Sequence, residues 1–86
     1  MNIDMEYVYI LVTRRPITDS FGVAVIFEGL GLCFNVFVYK PSRNAIIMKV
    51  GEFKKLLRFL KEVTNAEYKM RDFGYNSALI YFLREI

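Results

Sequence analysis

The stretch LCFNVFVYK at residues 32–40 most constrains the fold, because it reads as a β-strand without a polar face. Successive side chains of a strand point to opposite faces of a sheet. One face of this strand is wholly apolar, and the other carries four side chains: Cys33, Asn35, Phe37 and Tyr39. A sheet built around such a strand buries one side in a core and keeps an aromatic side for a second purpose.

Four segments have the aromatic and β-branched composition of strands and are separated by turn residues: 6–14, 21–28, 32–39 and 45–50. After them, the period of the apolar residues changes from two to 3.6, which predicts a helix over residues 51–64. Its apolar stripe consists of Phe53, Leu56, Leu57, Leu60 and Val63. Glu52 suits the first turn of this helix, and Asn65 is a plausible stop.

The C-terminal part of the sequence is more ambiguous. Residues 67–72 alternate apolar and charged side chains, as an edge strand does. For residues 78–86 the aromatic content favours a final strand, and the alternative is a short helix capped by Asn76 or Ser77. The predicted fold is therefore α+β, a single small domain over residues 1–86. It has an antiparallel sheet of four or more strands and one main amphipathic helix, in the order β-β-β-β-α-β-β. The alternative is that the last element is a helix.

One helix can cover only one face of such a sheet. We expect it to pack on an aliphatic set of core residues: Val8, Ile10, Val12, Phe34, Val36 and Val38. That leaves an aromatic set on the uncovered side: Tyr7, Tyr9, Phe37 and Tyr39. Such a surface can stack unpaired bases, meet a second subunit, or be covered by the C-terminal strands.

Positive charge is concentrated in one part of the chain. The net charge of the protein is +3, but residues 40–61 contain seven basic residues against Glu52 alone. A concentration of this kind indicates an anionic partner, and its alternative explanation is a solvated helix face beside a basic hairpin.

Several classes of site are disfavoured by composition. The chain has no histidine, which removes the commonest zinc ligand and the histidine-activated nucleophiles, and it has a single cysteine, Cys33. The carboxylates form no recognisable pair, so we expect no catalytic residues, no metal and no cofactor. A lone cysteine, an acidic rather than basic N-terminus and the lack of a long apolar run predict a cytoplasmic protein without a membrane segment. The absence of glutamine, with abundant Lys and Glu, hints at a thermophilic source.

The segment from Gly22 to Val63 resembles the single-stranded-DNA-binding domains of the positive-cofactor-four coactivators and their Whirly relatives. The resemblance rests on consecutive strands followed by a helix entered through Ile46, Met48, Val50, Phe53, Leu56 and Leu57. It implies a homodimer in which basic and aromatic residues of curved sheets hold unpaired DNA.

Two hypotheses follow. The first is a non-catalytic, homodimeric module that binds single-stranded nucleic acid with two sets of residues. Stacking would come from Tyr7, Tyr9, Phe37 and Tyr39, and phosphate contacts from Arg14, Arg15, Lys40, Arg43 and Lys49. An alternative basic face lies on the helix: Lys54, Lys55, Arg58 and Lys61. The second hypothesis is a small structural protein, of viral or mobile-element type, whose apolar sheet face forms a homo-oligomer or binds a protein partner.

Overall fold

The structure, a computed structural model, describes residues 6–39, 43–74 and 77–84. Its elements in chain order are β1 (Tyr7–Thr13), β2 (Gly22–Phe27), a 3-10 turn (Glu28–Leu30), β3 (Leu32–Phe37), β4 (Ile46–Lys49), α1 (Val50–Thr64), β5 (Lys69–Asp72) and α2 (Ser77–Arg84). The α+β class is confirmed, as are the first four predicted strands, the main helix and the strand after it.

The five strands form one antiparallel sheet in the order β4-β1-β3-β2-β5. β3 is therefore the central strand, and every residue of it except Leu32 is buried. This position explains the opening stretch of the sequence, because a central strand that is covered on both sides has no need of a polar face.

Both helices lie on the same side of the sheet. Phe53 and Leu57 of α1 are fully buried with Leu79 and Leu83 of α2. They close a core that contains Val8, Ile10, Val23, Val25, Phe27, Phe34, Val36 and Val38 from the strands. We call this side the helix face.

The assignment of Val12 to this core was wrong, because its side chain is 49% exposed. The pairing of β1 with β4 ends at Ile10 and Ile46, so Val12 has a neighbouring strand on one side only.

The preference for a final strand at the C-terminus was also wrong. Residues Ser77–Arg84 form α2, whose buried Leu79 and Leu83 are four residues apart and share one side of the helix. Asn76, named as a possible cap, lies outside the described residues. The sequence does contain this helical spacing, but the exposed rings of Tyr81 and Phe82 made the segment resemble a strand.

The ends of α1 follow local rules. Glu52 lies in the first turn, where a carboxylate interacts favourably with the helix dipole, and Asn65 after the last turn has a left-handed φ of 53°. Neither helix in the described part of the chain has the length and apolar character needed to cross a membrane.

Candidate functional site

The side of the sheet opposite the helices is the open face. Alternation along the paired strands places a mixed set of side chains there: Tyr7, Tyr9, Leu11 and Thr13 of β1, Ala24 and Ile26 of β2, Cys33, Asn35 and Phe37 of β3, Ile47 and Lys49 of β4, and Lys69 and Arg71 of β5. The C-terminal elements do not cover it, because β5 extends the sheet beside β2 and α2 packs on the helix face.

The centre of the open face is closed by the loop between β1 and β2, and Asn35 anchors that loop. Its amide is fully buried and accepts a hydrogen bond from the Ile17 backbone N–H at 2.8 Å. The same amide donates to Oγ1 of Thr13 at 2.6 Å and to the carbonyl oxygens of Leu11 at 3.3 Å and Arg15 at 3.5 Å. The one polar residue of the central strand therefore holds the loop in place and is not available to a ligand.

Phe37 is a second part of this cover. Its ring is only 1% exposed and meets the ring of Phe73 edge-on, with 5.5 Å between the centroids. Phe73 also donates its backbone N–H to the Gly22 carbonyl at 3.1 Å, which fixes it over the end of β2. Phe37 therefore cannot stack a base as predicted, because Phe73 occupies the space that the base would need.

The other predicted aromatic residues remain accessible. Tyr7 is 36% exposed and Tyr39 is 48% exposed, while Tyr9 is half-buried. Ile47, which lies opposite Tyr9 on β4, is 56% exposed. Together with Lys49, opposite Tyr7, we call these residues the tyrosine patch: Tyr7, Tyr9, Tyr39, Ile47 and Lys49. Tyr39 follows the end of β3 and lines a depression with Asp19, Ser20 and Phe21.

Lys49 supplies the positive charge of the tyrosine patch. Its Nζ lies 5.8 Å from the centroid of the Tyr7 ring and 3.8 Å from Oε1 of Glu6. Both partners of this ion pair are largely exposed, so solvent screens it strongly and Glu6 competes only weakly with an incoming anion.

The basic residues of the helix are divided between two places. Lys54 and Lys55 line a depression of about 520 Å³ together with Lys49, beside Glu6 and Glu52. Arg58 and Lys61 instead line a separate depression with Glu62 and Glu67, and Lys61 pairs with Glu67 at 3.4 Å. The proposed alternative face is therefore not one surface: its first half adjoins the tyrosine patch, and its second half is balanced by carboxylates.

The remaining predicted cations lie elsewhere. Arg14 and Arg15 are exposed at the end of β1 that is remote from Tyr7, and Arg43 is exposed before β4. Lys40 falls outside the described residues. The predicted phosphate contacts that the structure describes are thus spread along the sheet, and among these only Lys49 is in the tyrosine patch.

Sequence reasoning missed a basic corner at the other end of the open face. Arg14 lines a depression of about 620 Å³ with Lys69 and Arg71 of β5, and Glu28 pairs with Lys69 at 2.6 Å. The alternation of residues 67–72 indicated that Lys69 and Arg71 share a side, but the order of the strands is needed to place that side beside Arg14.

Cys33 lies under the loop cover and is fully buried. Burial raises the pKa of its thiol, and a hydrogen bond with the Thr13 side chain partly offsets this increase. A buried protonated thiol is a poor nucleophile and a poor metal ligand. Among the described residues, no three His, Cys, Asp or Glu side chains are grouped so that they could hold a metal ion.

No protein-family model, no curated protein and no solved structure matches this chain. The resemblance to single-stranded-DNA-binding domains therefore stays a prediction, and a proposal about function depends on the geometry of the open face.

Proposed function

We propose that this protein is a non-catalytic, homodimeric module that engages single-stranded nucleic acid through the tyrosine patch. The observation that carries the proposal is the ammonium group of Lys49 beside the exposed Tyr7 ring, on a face of the sheet that also exposes Tyr39. Single-strand-binding surfaces combine aromatic rings, which stack on bases, with cations that hold phosphates. The lone buried thiol fits a reducing cytoplasm as the setting.

The spacing of the tyrosines favours an unpaired strand. Tyr7 and Tyr9 are two residues apart on β1, a separation of about 7 Å along the strand. Neighbouring nucleotides in one strand of a duplex are about 3.4 Å apart along the axis. Bases that stack on both rings must be separated from each other, which an unpaired strand allows and a duplex resists.

The cations favour a path for the phosphates along the edge of the patch. Lys49, Lys54 and Lys55 line one depression where β4 passes into α1. A backbone that follows this edge keeps its phosphates near three ammonium groups while its bases turn towards the tyrosines. Ion pairing with phosphates releases counterions, so binding should weaken steeply as salt concentration rises.

Fluorescence anisotropy with a labelled oligonucleotide at low salt tests the proposal. The double variant Tyr7→Ala/Tyr39→Ala should lose at least about fivefold in affinity, since one stacked base contributes about 1–3 kcal/mol. Tyr81→Ala is the matched control, because Tyr81 is 65% exposed on α2 and should not contact the oligonucleotide. Lack of association at tens of micromolar parent protein would remove the proposal.

A second candidate function is supported by the apolar surface. Ile46 and Ile47 are 61% and 56% exposed on one short edge strand, Ile47 on the open face and Ile46 on the helix face, where a second molecule that pairs with this edge would cover both. In this alternative the sheet face serves a structural homo-oligomer, and nucleic acid is not the ligand. Tyr39→Asp would then dissociate the oligomer in sedimentation, whereas charge reversal at Lys54 and Lys55 would change little. Since both functions involve a homo-oligomer, anisotropy separates them: in this alternative the parent protein does not bind the oligonucleotide.

A further inference from the structure

The two edges of the sheet differ in their protection against pairing. The edge strand β5 has three exposed charged residues, Lys69, Arg71 and Asp72, of the kind that natural sheets use to prevent edge-to-edge association. The edge strand β4 has one exposed charged residue, Lys49, and exposes Ile46 and Ile47 beside it. The unpaired backbone N–H and C=O groups of an edge strand are a template for pairing with another strand, and only one charge on β4 opposes it.

The backbone of β4 has a defined set of groups directed towards the free edge. The Val50 N–H donates to the Glu6 carbonyl at 2.9 Å, which makes this a hydrogen-bonded pair of the β1–β4 ladder. Hydrogen-bonded and non-hydrogen-bonded pairs alternate in an antiparallel ladder. Ile47 and Lys49 consequently occupy the non-hydrogen-bonded positions, and their N–H and C=O groups point away from β1.

We propose that β4 pairs antiparallel with β4 of a second copy of this chain, about a two-fold axis that passes between the two Ile47 residues. Each Ile47 then exchanges two backbone hydrogen bonds with its counterpart. Lys49 faces Ala45 of the second copy, and Ile46 faces Met48. The result is a continuous ten-stranded sheet.

Charge and side-chain chemistry select this register among those that the outward-pointing groups allow. Pairing centred on Lys49 would place two ammonium groups opposite each other, which is destabilising. Pairing centred on Ile47 keeps the two lysines at opposite ends of the joined strands. It also brings the exposed Ile47 side chains together on the open face and pairs exposed Ile46 with Met48 on the helix face.

This dimer would join the two open faces at their tyrosine patches. Tyr9 and Ile47 of each copy lie in the same cross-strand row, so the axis brings two such rows into one line. A single oligonucleotide could then cross both patches, and this consequence rests on the proposed function. The pairing of the two β4 edges does not depend on the proposed function.

Sedimentation and cysteine cross-linking test the pairing. The parent protein should sediment as a dimer, and Ile47→Lys should weaken the dimer at least about tenfold while far-UV circular dichroism stays unchanged. In the proposed register the two Ile47 Cα atoms are about 5.5 Å apart, within the range that a disulfide spans.

Ile47→Cys should therefore form a disulfide-linked dimer under mild oxidation. The Ile46 Cα atoms are offset by two residues, roughly 8 Å, so Ile46→Cys should not. The parent, which contains only buried Cys33, gives the background.

A parent protein that is monomeric at about 100 µM would overturn the inference, as would cross-linking of Ile46→Cys as fast as that of Ile47→Cys. Anisotropy on the same samples separates it from the proposed function. A dimer that cross-links at position 47 but binds no oligonucleotide keeps the pairing and removes the nucleic-acid proposal. A monomer that binds oligonucleotide removes the pairing and the homodimer but keeps the nucleic-acid binding.

Discussion

The helix face and the open face of this sheet are closed by different means. On the helix face, α1 and α2 lay four fully buried side chains, among them Phe53 and Leu57, across the strands. On the open face a loop crosses the centre, held mainly by the hydrogen bonds of one amide, that of Asn35. Hydrophobic burial covers a broad area without directional demands, whereas hydrogen bonds fix one narrow segment.

The difference in closure decides which residues of the open face stay accessible. The loop and Phe73 bury Phe37 and Cys33 but leave the tyrosine patch and the basic corner on either side. Four substitutions test these contacts, one in the hydrophobic core of the helix face and three under the cover of the open face.

The largest expected effect is on the helix face. Leu57→Ala removes a fully buried side chain and should lower the free energy of unfolding by about 2–5 kcal/mol. The loss has two sources, the transfer free energy of the removed apolar atoms and the cost of the cavity that they leave. Val63→Ala on the same helix is the control, because Val63 is 65% exposed and its truncation should change stability by less than about 0.5 kcal/mol. Urea unfolding measures both, and equal losses would contradict the assigned core.

The next effect concerns the close approach at Gly22 on the open face. A Cβ added there would lie 2.3 Å from the Val36 carbonyl oxygen and 3.0 Å from the Phe73 ring. Gly22→Ala should cost about 1–3 kcal/mol, because backbone must shift to relieve the overlap. In Gly51→Ala the new Cβ meets no atom within 4 Å, so this helix variant should gain about 0.5–1 kcal/mol. A neutral Gly22→Ala would show that the backbones of β2 and β3 are not held this close at Gly22 and Val36.

Asn35→Ala removes the anchor of the loop. It leaves the Ile17 N–H without its acceptor and should cost about 1–3 kcal/mol, with faster tryptic cleavage between Arg14 and Arg15. Thr13→Ser keeps a hydroxyl as an acceptor for the amide and should cleave at nearly the parental rate. If Asn35→Ala resists trypsin as well as the parent does, the loop is held by other contacts.

The smallest effect is the pH dependence contributed by Cys33. Because its pKa is raised in the folded state, the folded protein holds the thiol proton more tightly than the unfolded chain does. The contribution of Cys33 to the free energy of unfolding is fully present below the ordinary thiol pKa of about 9.0. It is lost as the pH rises through the higher pKa that the thiol has in the folded protein. Relative to Cys33→Ala, the parent should lose stability above pH 9 in urea titrations. Parallel curves for the two proteins up to pH 10.5 would contradict this prediction.

Much of the fold could be predicted because local patterns and tertiary contacts agree. The apolar spacing of α1 and the alternation of β1 correspond to sides that are buried in the structure. The C-terminal segment failed because Tyr81 and Phe82 obscured the four-residue spacing of Leu79 and Leu83. No local signal distinguishes an exposed ring from a core ring there, since only the position of α2 against α1 and β2 decides it.

The candidate site could be predicted only in part. Placing Tyr7, Tyr9 and Tyr39 away from the helix requires no more than alternation and a single amphipathic helix. Predicting that Phe37 is covered requires knowing that Phe73, thirty-six residues later, returns beside Gly22. A contact between residues so far apart in the chain produces no periodic pattern in the sequence from which it could be predicted.

The sequence by itself determined which side of β1 and of β3 faces the helices and which carries Tyr7, Tyr9 and Phe37, because side-chain alternation is a local property of the backbone. Only the tertiary structure decided that β3 lies at the centre, that Asn35 serves the loop and that β4 is left as an apolar edge. The order of strands in a sheet is set by the packing of distant segments, and that packing decides which of the polar and aromatic residues stay accessible.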